Sequence, residues 1–226
     1  MISRVFNADY INAVANHPCV SVGAKIISPI DLMSVAEDYG NVILIFDGGA
    51  FILLGKGGGI YEVHTMALKE GRGKILRGAV NEALEYMFFK TDCIRLVTIS
   101  YKDNVAACAL ASAYFDKRGE NDEYNYYDLT YSQWIASCKT AQSAGEEFHK
   151  NIETNHDTDC SHDCNVGGAL LLIKNGNVMK AISVYNQWAI MSGYEQAILT
   201  NQYPPIAHIG EMKLIYHNNR VDEICQ

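Results

Sequence analysis

Residues 61–90 combine a β-strand pattern, a short Gly/Arg-rich turn and a long amphipathic helix pattern without interruption. The turn at 70–74 contains two glycines and an arginine, and apolar residues recur at helical spacing from Lys74 onwards. This order predicts a helix N-terminus at the carboxyl end of a strand. Free backbone N–H groups and the helix dipole favour a phosphate at such a place.

Further strand and helix patterns surround this unit. Asp47-Gly48-Gly49 predicts a hairpin between two apolar runs, and a turn at 57–59 leads into the strand before the Gly/Arg-rich turn. Strand, helix and strand over residues 60–100 predict a βαβ unit with parallel strands. The predicted elements are a helix at 31–39, strands at 41–46, 50–54, 60–66 and 93–100, and helices at 74–89 and 104–117.

The second half of the chain has a different sequence pattern, which predicts a separate extension. The polar residues 119–125 are the best boundary, so we divide the chain into residues 1–122 and 123–226. The elements predicted in the second part are helices at 129–138 and 141–154, a helical hairpin at 166–192 and a β-hairpin at 211–224.

Composition narrows the classes of function. The formal net charge of -8 argues against direct binding to nucleic acid, which needs clustered Lys and Arg. Apolar runs are too short for a membrane span, and the N-terminus does not have the pattern of a signal peptide. The seven cysteines are scattered, which favours a reducing compartment without a disulfide framework.

The order of elements over roughly residues 20–120 resembles the GNAT fold of the acyl-CoA-dependent N-acyltransferases. The resemblance implies an α/β fold with a mixed, mostly antiparallel sheet flanked by helices, here followed by the C-terminal extension. It also implies an open cleft between the strands at 60–66 and 93–100. Several short stretches look like GNAT-like proteins of short-tailed bacteriophages, some of which are internal virion or head-assembly components. These stretches are residues 61–66, 70–73, 91–93, 181–189 and 193–194.

The family's pyrophosphate-binding turn has the signature Gln/Arg-x-x-Gly-x-Gly/Ala. With Arg72 at its first position, Ile75 and Arg77 stand where small residues let the backbone approach a diphosphate. Two alternatives stay open: the turn is inherited without a ligand, or charged side chains compensate and acetyl-CoA still binds. The candidate cofactor-binding residues are Gly71, Arg72, Gly73, Lys74 and Arg77.

The candidate catalytic residues are Glu62, His64 and Tyr114. Glu62 and His64 alternate on the strand before the turn and so share one face, where His64 titrates near working pH and Glu62 orients it. The alternative is a structural pair on a solvated sheet face. The family's usual acid is a tyrosine early in the helix after the second parallel strand. Tyr114 fills that role only in a shifted register and otherwise packs in the core.

A loop at 156–164 contains two histidines, three aspartates and two cysteines that resemble metal ligands. The spacing has no Cys-x-x-Cys and no second ligand pair at a set distance. We therefore assign no metal site and interpret the loop as polar residues preceding a helix, with a zinc-type site as the alternative that stays open.

Two functions from different classes remain. The first is a virion-associated structural or assembly protein without catalysis or cofactor. Its partners would be other virion proteins in an oligomer or assembly, and its locations the host cytoplasm and then the virion. The second is an active N-acetyltransferase that moves an acetyl group from acetyl-CoA to an amine. Both share one fold, so the site has to decide between them.

Overall fold

The computed structural model describes residues 1–138, 171–172, 175, 177, 180–184, 198–200, 206–209, 212–217 and 220–225. The chain divides into two compact units. The first contains Met1–Phe88 and Cys93–Thr130, and the second contains Phe89–Asp92 and Tyr131–Gln226. Among the described helices, none combines the length and hydropathy that crossing a bilayer requires.

The first unit is built on one seven-stranded sheet with the order β1-β2-β3-β4-β5-β7-β6. Its strands are β1 (Ser3–Val5), β2 (Val42–Phe46), β3 (Gly49–Gly57), β4 (Ile60–Ala67), β5 (Arg95–Tyr101), β6 (Asp116–Glu120) and β7 (Tyr124–Thr130). Its helices are α1 (Asp9–Ala15), α2 (Pro18–Ser21), α3 (Met33–Glu37), α4 (Lys74–Lys90, whose last residues belong to the second unit) and α5 (Val105–Tyr114). Neighbouring strands are antiparallel except β4 and β5, which are parallel. The predicted fold class, a mixed and mostly antiparallel sheet flanked by helices, is confirmed.

Glycine-rich turns form the two hairpins that the sequence predicts. Gly48, with φ +75, lies in the turn between β2 and β3. The turn from β3 to β4 is formed by three glycines with positive φ, Gly57, Gly58 and Gly59. L-residues with a side chain rarely adopt this conformation, so each turn depends on its glycines.

The helices α1–α3 lie on one face of the sheet. Ile11 and Val14 of α1 are almost completely buried there, in one apolar cluster with Ile43, Ile52 and Met66 of β2, β3 and β4. Burying an aliphatic side chain of this size stabilises a fold by about 1.5–3 kcal/mol. Because His64 pairs with Ile52 in the register of β3 and β4, its side chain is on this same face.

The C-terminal part of the first unit differs from the prediction. The helix predicted at 104–117 ends at Tyr114, and a β-hairpin, β6–β7, follows it. The carboxylate of Asp128 on β7 is buried and binds both Arg95 of β5 and Arg118 of β6. The predicted boundary at 122/123 therefore falls in the turn of this hairpin, whereas the two compact units divide after Thr130.

The second unit contains helix α6 (Tyr131–Ala136) and a four-stranded antiparallel sheet with the order β11-β10-β9-β8. Its strands are β8 (Ile198–Thr200), β9 (Ile206–Ile209), β10 (Met212–His217) and β11 (Arg220–Cys225). The last two form the predicted C-terminal hairpin. Residues 171–172 and 180–184 are helical and fall within the two helices predicted at 166–192, while most of that predicted hairpin lies outside the described residues. The predicted helix at 141–154 lies outside the described residues.

Candidate active site

The parallel strands β4 and β5 are joined only at their start. Their register pairs Ile60 with Arg95, Tyr61 with Leu96 and Glu62 with Val97, and ends there. Beyond this point β4 continues to Ala67 beside β3, and β5 continues to Tyr101 beside β7. The two strands therefore part after Glu62 and leave a split that opens towards their carboxyl ends.

Backbone polar groups line this split. The N–H of Arg95 donates to the carbonyl of Gly59 at 3.2 Å, so the odd-numbered residues of β4 turn their N–H and C=O groups towards β5. At Val63 the carbonyl accepts from the Thr98 hydroxyl at 2.9 Å in place of the next ladder bond. The next residue with this orientation, Thr65, consequently presents its backbone donor and acceptor to the split.

Glu62, at the point where the strands part, contacts two basic side chains. One carboxylate oxygen lies 2.6 Å from Lys56 Nζ and the other 3.1 Å from His64 Nε2. An ionised carboxylate only accepts hydrogen bonds, so Nε2 of a neutral His64 carries the proton and Nδ1 keeps its lone pair. Because the His64 side chain is 49% exposed, this arrangement leaves a basic nitrogen in a partly solvated position.

Replacing Glu62 by glutamine should reduce the pH dependence of stability. Burial acts to raise the pKa of Glu62, but the hydrogen bond from Lys56 and the charges of His64 and Lys56 outweigh it, so the pKa lies below its ordinary 4.5. Such a carboxyl stabilises the fold above its unfolded-state pKa, and this contribution disappears as pH falls through the folded-state pKa. In denaturant unfolding, the wild type should lose more stability than Glu62→Gln between about pH 7 and about pH 3. Equal losses would contradict this.

The two glycines of the β4–α4 turn have different environments. A Cβ atom on Gly71 would lie 2.3 Å from the carbonyl oxygen of Gly48, because the two backbones touch there. Gly73 has φ +69, and apart from its chain neighbours no described residue has an atom within 4 Å of the position that its Cβ would take. Gly71 is thus required by packing within the protein, whereas Gly73 provides a left-handed turn with open space directly before α4.

The three cationic side chains near the start of α4 differ in their availability. Arg72 donates from Nε to the Ala67 carbonyl at 3.2 Å and from Nη2 to the Cys19 carbonyl at 3.0 Å. Lys74 and Arg77 are exposed on the first turn of the helix. Arg72 therefore braces the turn, and the side chains best placed to meet an anion are those of Lys74 and Arg77.

Tyr114, the third candidate catalytic residue, is separate from the Glu62–His64 pair. It is the last residue of α5, and its hydroxyl lies 3.4 Å from the backbone carbonyl of Arg77 on α4. The structure therefore brings Glu62 and His64 together and places Tyr114 beside the candidate anion-binding residues.

One short segment contacts the turns at the ends of both diverging strands. The Cys19 carbonyl accepts from the turn after β4, as described above. After β5, Asn104 Nδ2 donates to the Gly23 carbonyl at 3.2 Å, and Lys25 Nζ lies 2.9 Å from the carboxylate of Asp103. The segment from Cys19 to Lys25 thus runs across the carboxyl end of the split.

Two residues of this region were not singled out by sequence reasoning. Lys56 is the extra residue of a β-bulge, and its setting between Gly55 and Gly57 is the available signal, since glycine within a strand often marks a bulge. Thr98 is a polar residue between the β-forming residues Val97 and Ile99. Neither signal by itself indicates which side chain or carbonyl the residue contacts.

The part of the chain that the structure describes contains no candidate metal-binding site. There, no three His, Cys, Asp or Glu side chains form a group that could hold a metal ion. The His/Asp/Cys loop at 156–164 lies outside the described residues, so the interpretation of that loop stays a prediction.

Comparison with known proteins identifies the scaffold. No protein-family model matches the chain, and no curated protein matches it. The crystal structure of a spermidine N-acetyltransferase from Vibrio cholerae, in complex with CoA and spermine, is similar with a TM-score of 0.51 at 14% sequence identity. The match covers 60% of this chain and 97% of that chain. A variant of the Vibrio cholerae enzyme matches with a TM-score of 0.48 at 14% identity, over 60% of this chain and 95% of that one.

The fold is therefore that of the GNAT acyl-CoA N-acyltransferases. This confirms the predicted scaffold, with its parallel strand pair and crossover helix at the site. Likeness at this level of identity shows the fold alone. The resemblance to phage proteins, the role in a virion, the predicted protein partners and the predicted locations receive no support from it and stay predictions.

Proposed function

We propose that this protein is an N-acyltransferase that moves an acetyl group from acetyl-CoA to an amine. The observation that carries the proposal is the split between β4 and β5, with Glu62 where the strands part and His64 two residues further along. A carboxylate–imidazole pair at this position suits general-base chemistry on a substrate held in the split.

The β4–α4 turn supports the donor half of the reaction. Gly73 directly precedes α4 and leaves open space beside its backbone. An alignment with Gly73 as the first glycine of the pyrophosphate signature therefore fits better than the alignment that begins at Arg72. With Gly73 as the first glycine, Glu70 takes the first position and Ile75 the last. The first-turn N–H groups of α4, with Lys74 and Arg77, offer positive charge to the diphosphate of CoA.

The chemistry needs one proton acceptor on the protein. The nitrogen of the acceptor amine attacks the thioester carbonyl, and His64 Nδ1 takes the proton that this amine loses. Glu62 stabilises the imidazolium that forms. The new C–N bond replaces the C–S bond, and the electron pair of that bond leaves on the CoA sulfur. The first turns of α5 carry alanines and no tyrosine. We therefore assign protonation of the thiolate to solvent, which a thiol with an ordinary pKa near 8.5 permits.

Acetyl-CoA should raise the melting temperature of the purified protein in a concentration-dependent way. Binding to the folded state stabilises by mass action, about 2.7 kcal/mol at a ligand concentration 100 times Kd. The double change Lys74→Gln with Arg77→Gln should weaken this response, because it removes the exposed charges at the start of α4. Lys117→Gln on β6 is the control, and its response should equal that of the wild type.

Two results would overturn the proposed function. One is an unchanged melting temperature at about millimolar acetyl-CoA, roughly the upper end of ordinary KM values for enzymes. The other is binding without transfer of acetyl groups to any of a panel of primary amines and polyamines. The first outcome would leave the alternative of a structural protein on a GNAT scaffold.

A further inference from the structure

We propose that Lys56 is a positioning residue of this site, which holds the Glu62 carboxylate so that its other oxygen faces Nε2 of His64. The catalytic meaning of this inference rests on the proposed function. The contact itself and its effect on Glu62 do not, and they can be measured separately.

The local geometry of β3 explains how Lys56 reaches Glu62. Gly55 pairs with Tyr61 and Gly57 with Ile60, so Lys56 is the one residue of this stretch without a partner in the ladder. A β-bulge redirects a side chain and is usually a specific feature of a strand rather than a defect. Here the extra residue places an ammonium group 2.6 Å from the carboxylate.

The side chains that pair with Glu62 on the two neighbouring strands are apolar. Leu54 lies opposite it on β3 and Val97 on β5. The buried face of α1, on the same side of the sheet, consists of Ile11, Val14 and Ala15. The charged groups that act on this carboxylate are therefore Lys56 from the bulge and His64 from its own strand.

Each oxygen of the Glu62 carboxylate has its own partner, and this arrangement assigns the roles of Lys56, Glu62 and His64 in the site. With one oxygen occupied by Lys56, Glu62 stays ionised and accepts the Nε2–H of His64 with the other. A strongly paired carboxylate is a weak base, so the proton of the acceptor amine goes to Nδ1 of His64. Lys56 acts only through Glu62 and has no contact with the reacting atoms.

The direct test follows the Glu62 carboxyl carbon by NMR during a pH titration of the free protein. Lys56→Met should raise the pKa of Glu62, because the hydrogen bond from Lys56 is the largest of the interactions that lower this pKa. Lys56→Arg should restore the low value. Lys117→Met is the matched control, since it removes the same charge from a side chain that is also 46% exposed but pairs with Glu120.

An unchanged Glu62 pKa in Lys56→Met, or an equal rise in Lys117→Met, would overturn the inference whatever the protein catalyses. In the transferase assay, Lys56→Met should lower kcat roughly tenfold, a fraction of what a positioned base contributes, with KM for acetyl-CoA unchanged. Normal turnover with a raised Glu62 pKa would refute the positioning role. If the wild type binds no acetyl-CoA, the proposed function fails, and the titration still decides whether Lys56 holds Glu62.

Discussion

Replacing Gly71 by alanine is expected to destabilise the first compact unit by roughly 3 kcal/mol. The new Cβ would lie 2.3 Å from the carbonyl oxygen of Gly48 and 3.0 Å from that of Asp47. These are backbone atoms of the β2–β3 turn, so rotation of a side chain cannot relieve the overlap. Moving the turn would disturb the adjoining pair of Phe46 and Gly49. The melting temperature should fall by roughly 6–12 °C.

A second glycine of the same region provides the control. Gly78 lies exposed within α4, and apart from the helix's own backbone no described residue has an atom within 4 Å of the position of a Cβ there. Gly78→Ala should therefore stabilise the protein by about 0.5–1 kcal/mol, because alanine is the better helix former. If Gly71→Ala melted at the wild-type temperature, the close approach of the two turns would be refuted.

Replacing His64 by alanine should lower kcat by about 10²–10⁴-fold, the usual contribution of a positioned general base. KM for acetyl-CoA should change little, since the candidate diphosphate-binding residues Lys74 and Arg77 are untouched. The remaining activity should lose the part of its pH dependence that comes from the imidazole. Steady-state kinetics over a range of pH values provides the measurement.

His17→Gln is the control, because this exposed histidine caps the N-terminus of α2 and contacts Cys19 rather than Glu62. It should keep the wild-type kcat. Full activity and an unaltered pH profile in His64→Ala would show that another group accepts the proton. A loss in KM alone would indicate that His64 binds substrate without acting as the base.

Residues 60–101 were predicted well from sequence because their signals are local. Period-two alternation, glycine turns and the apolar stripe of α4 each reflect the geometry of one element. The parallel pairing of β4 and β5 followed from the crossover helix between them. The shared face of Glu62 and His64 follows from the alternation of side chains along a strand.

The β6–β7 hairpin was missed because its stability is not local. Residues 116–120 are exposed and polar, and no pattern in them predicts a strand. They pair with β7, and the Asp128 carboxylate binds an arginine from β5 and another from β6. A predicted helix that ran to residue 117 therefore ended earlier, because these long-range contacts outweigh weak local preferences.

The sequence by itself determined the order of strands and helices over residues 41–101, the turn before α4 and the adjacency of Glu62 and His64 on one strand face. Only the tertiary structure decided what each glycine of the turn does and that Arg72 binds backbone carbonyls of neighbouring segments. It also decided that a bulge places Lys56 on Glu62. The physical reason is that these properties depend on contacts between segments distant in the chain, such as Gly48 with Gly71 and Cys19 with Arg72, and a local pattern contains no information on them.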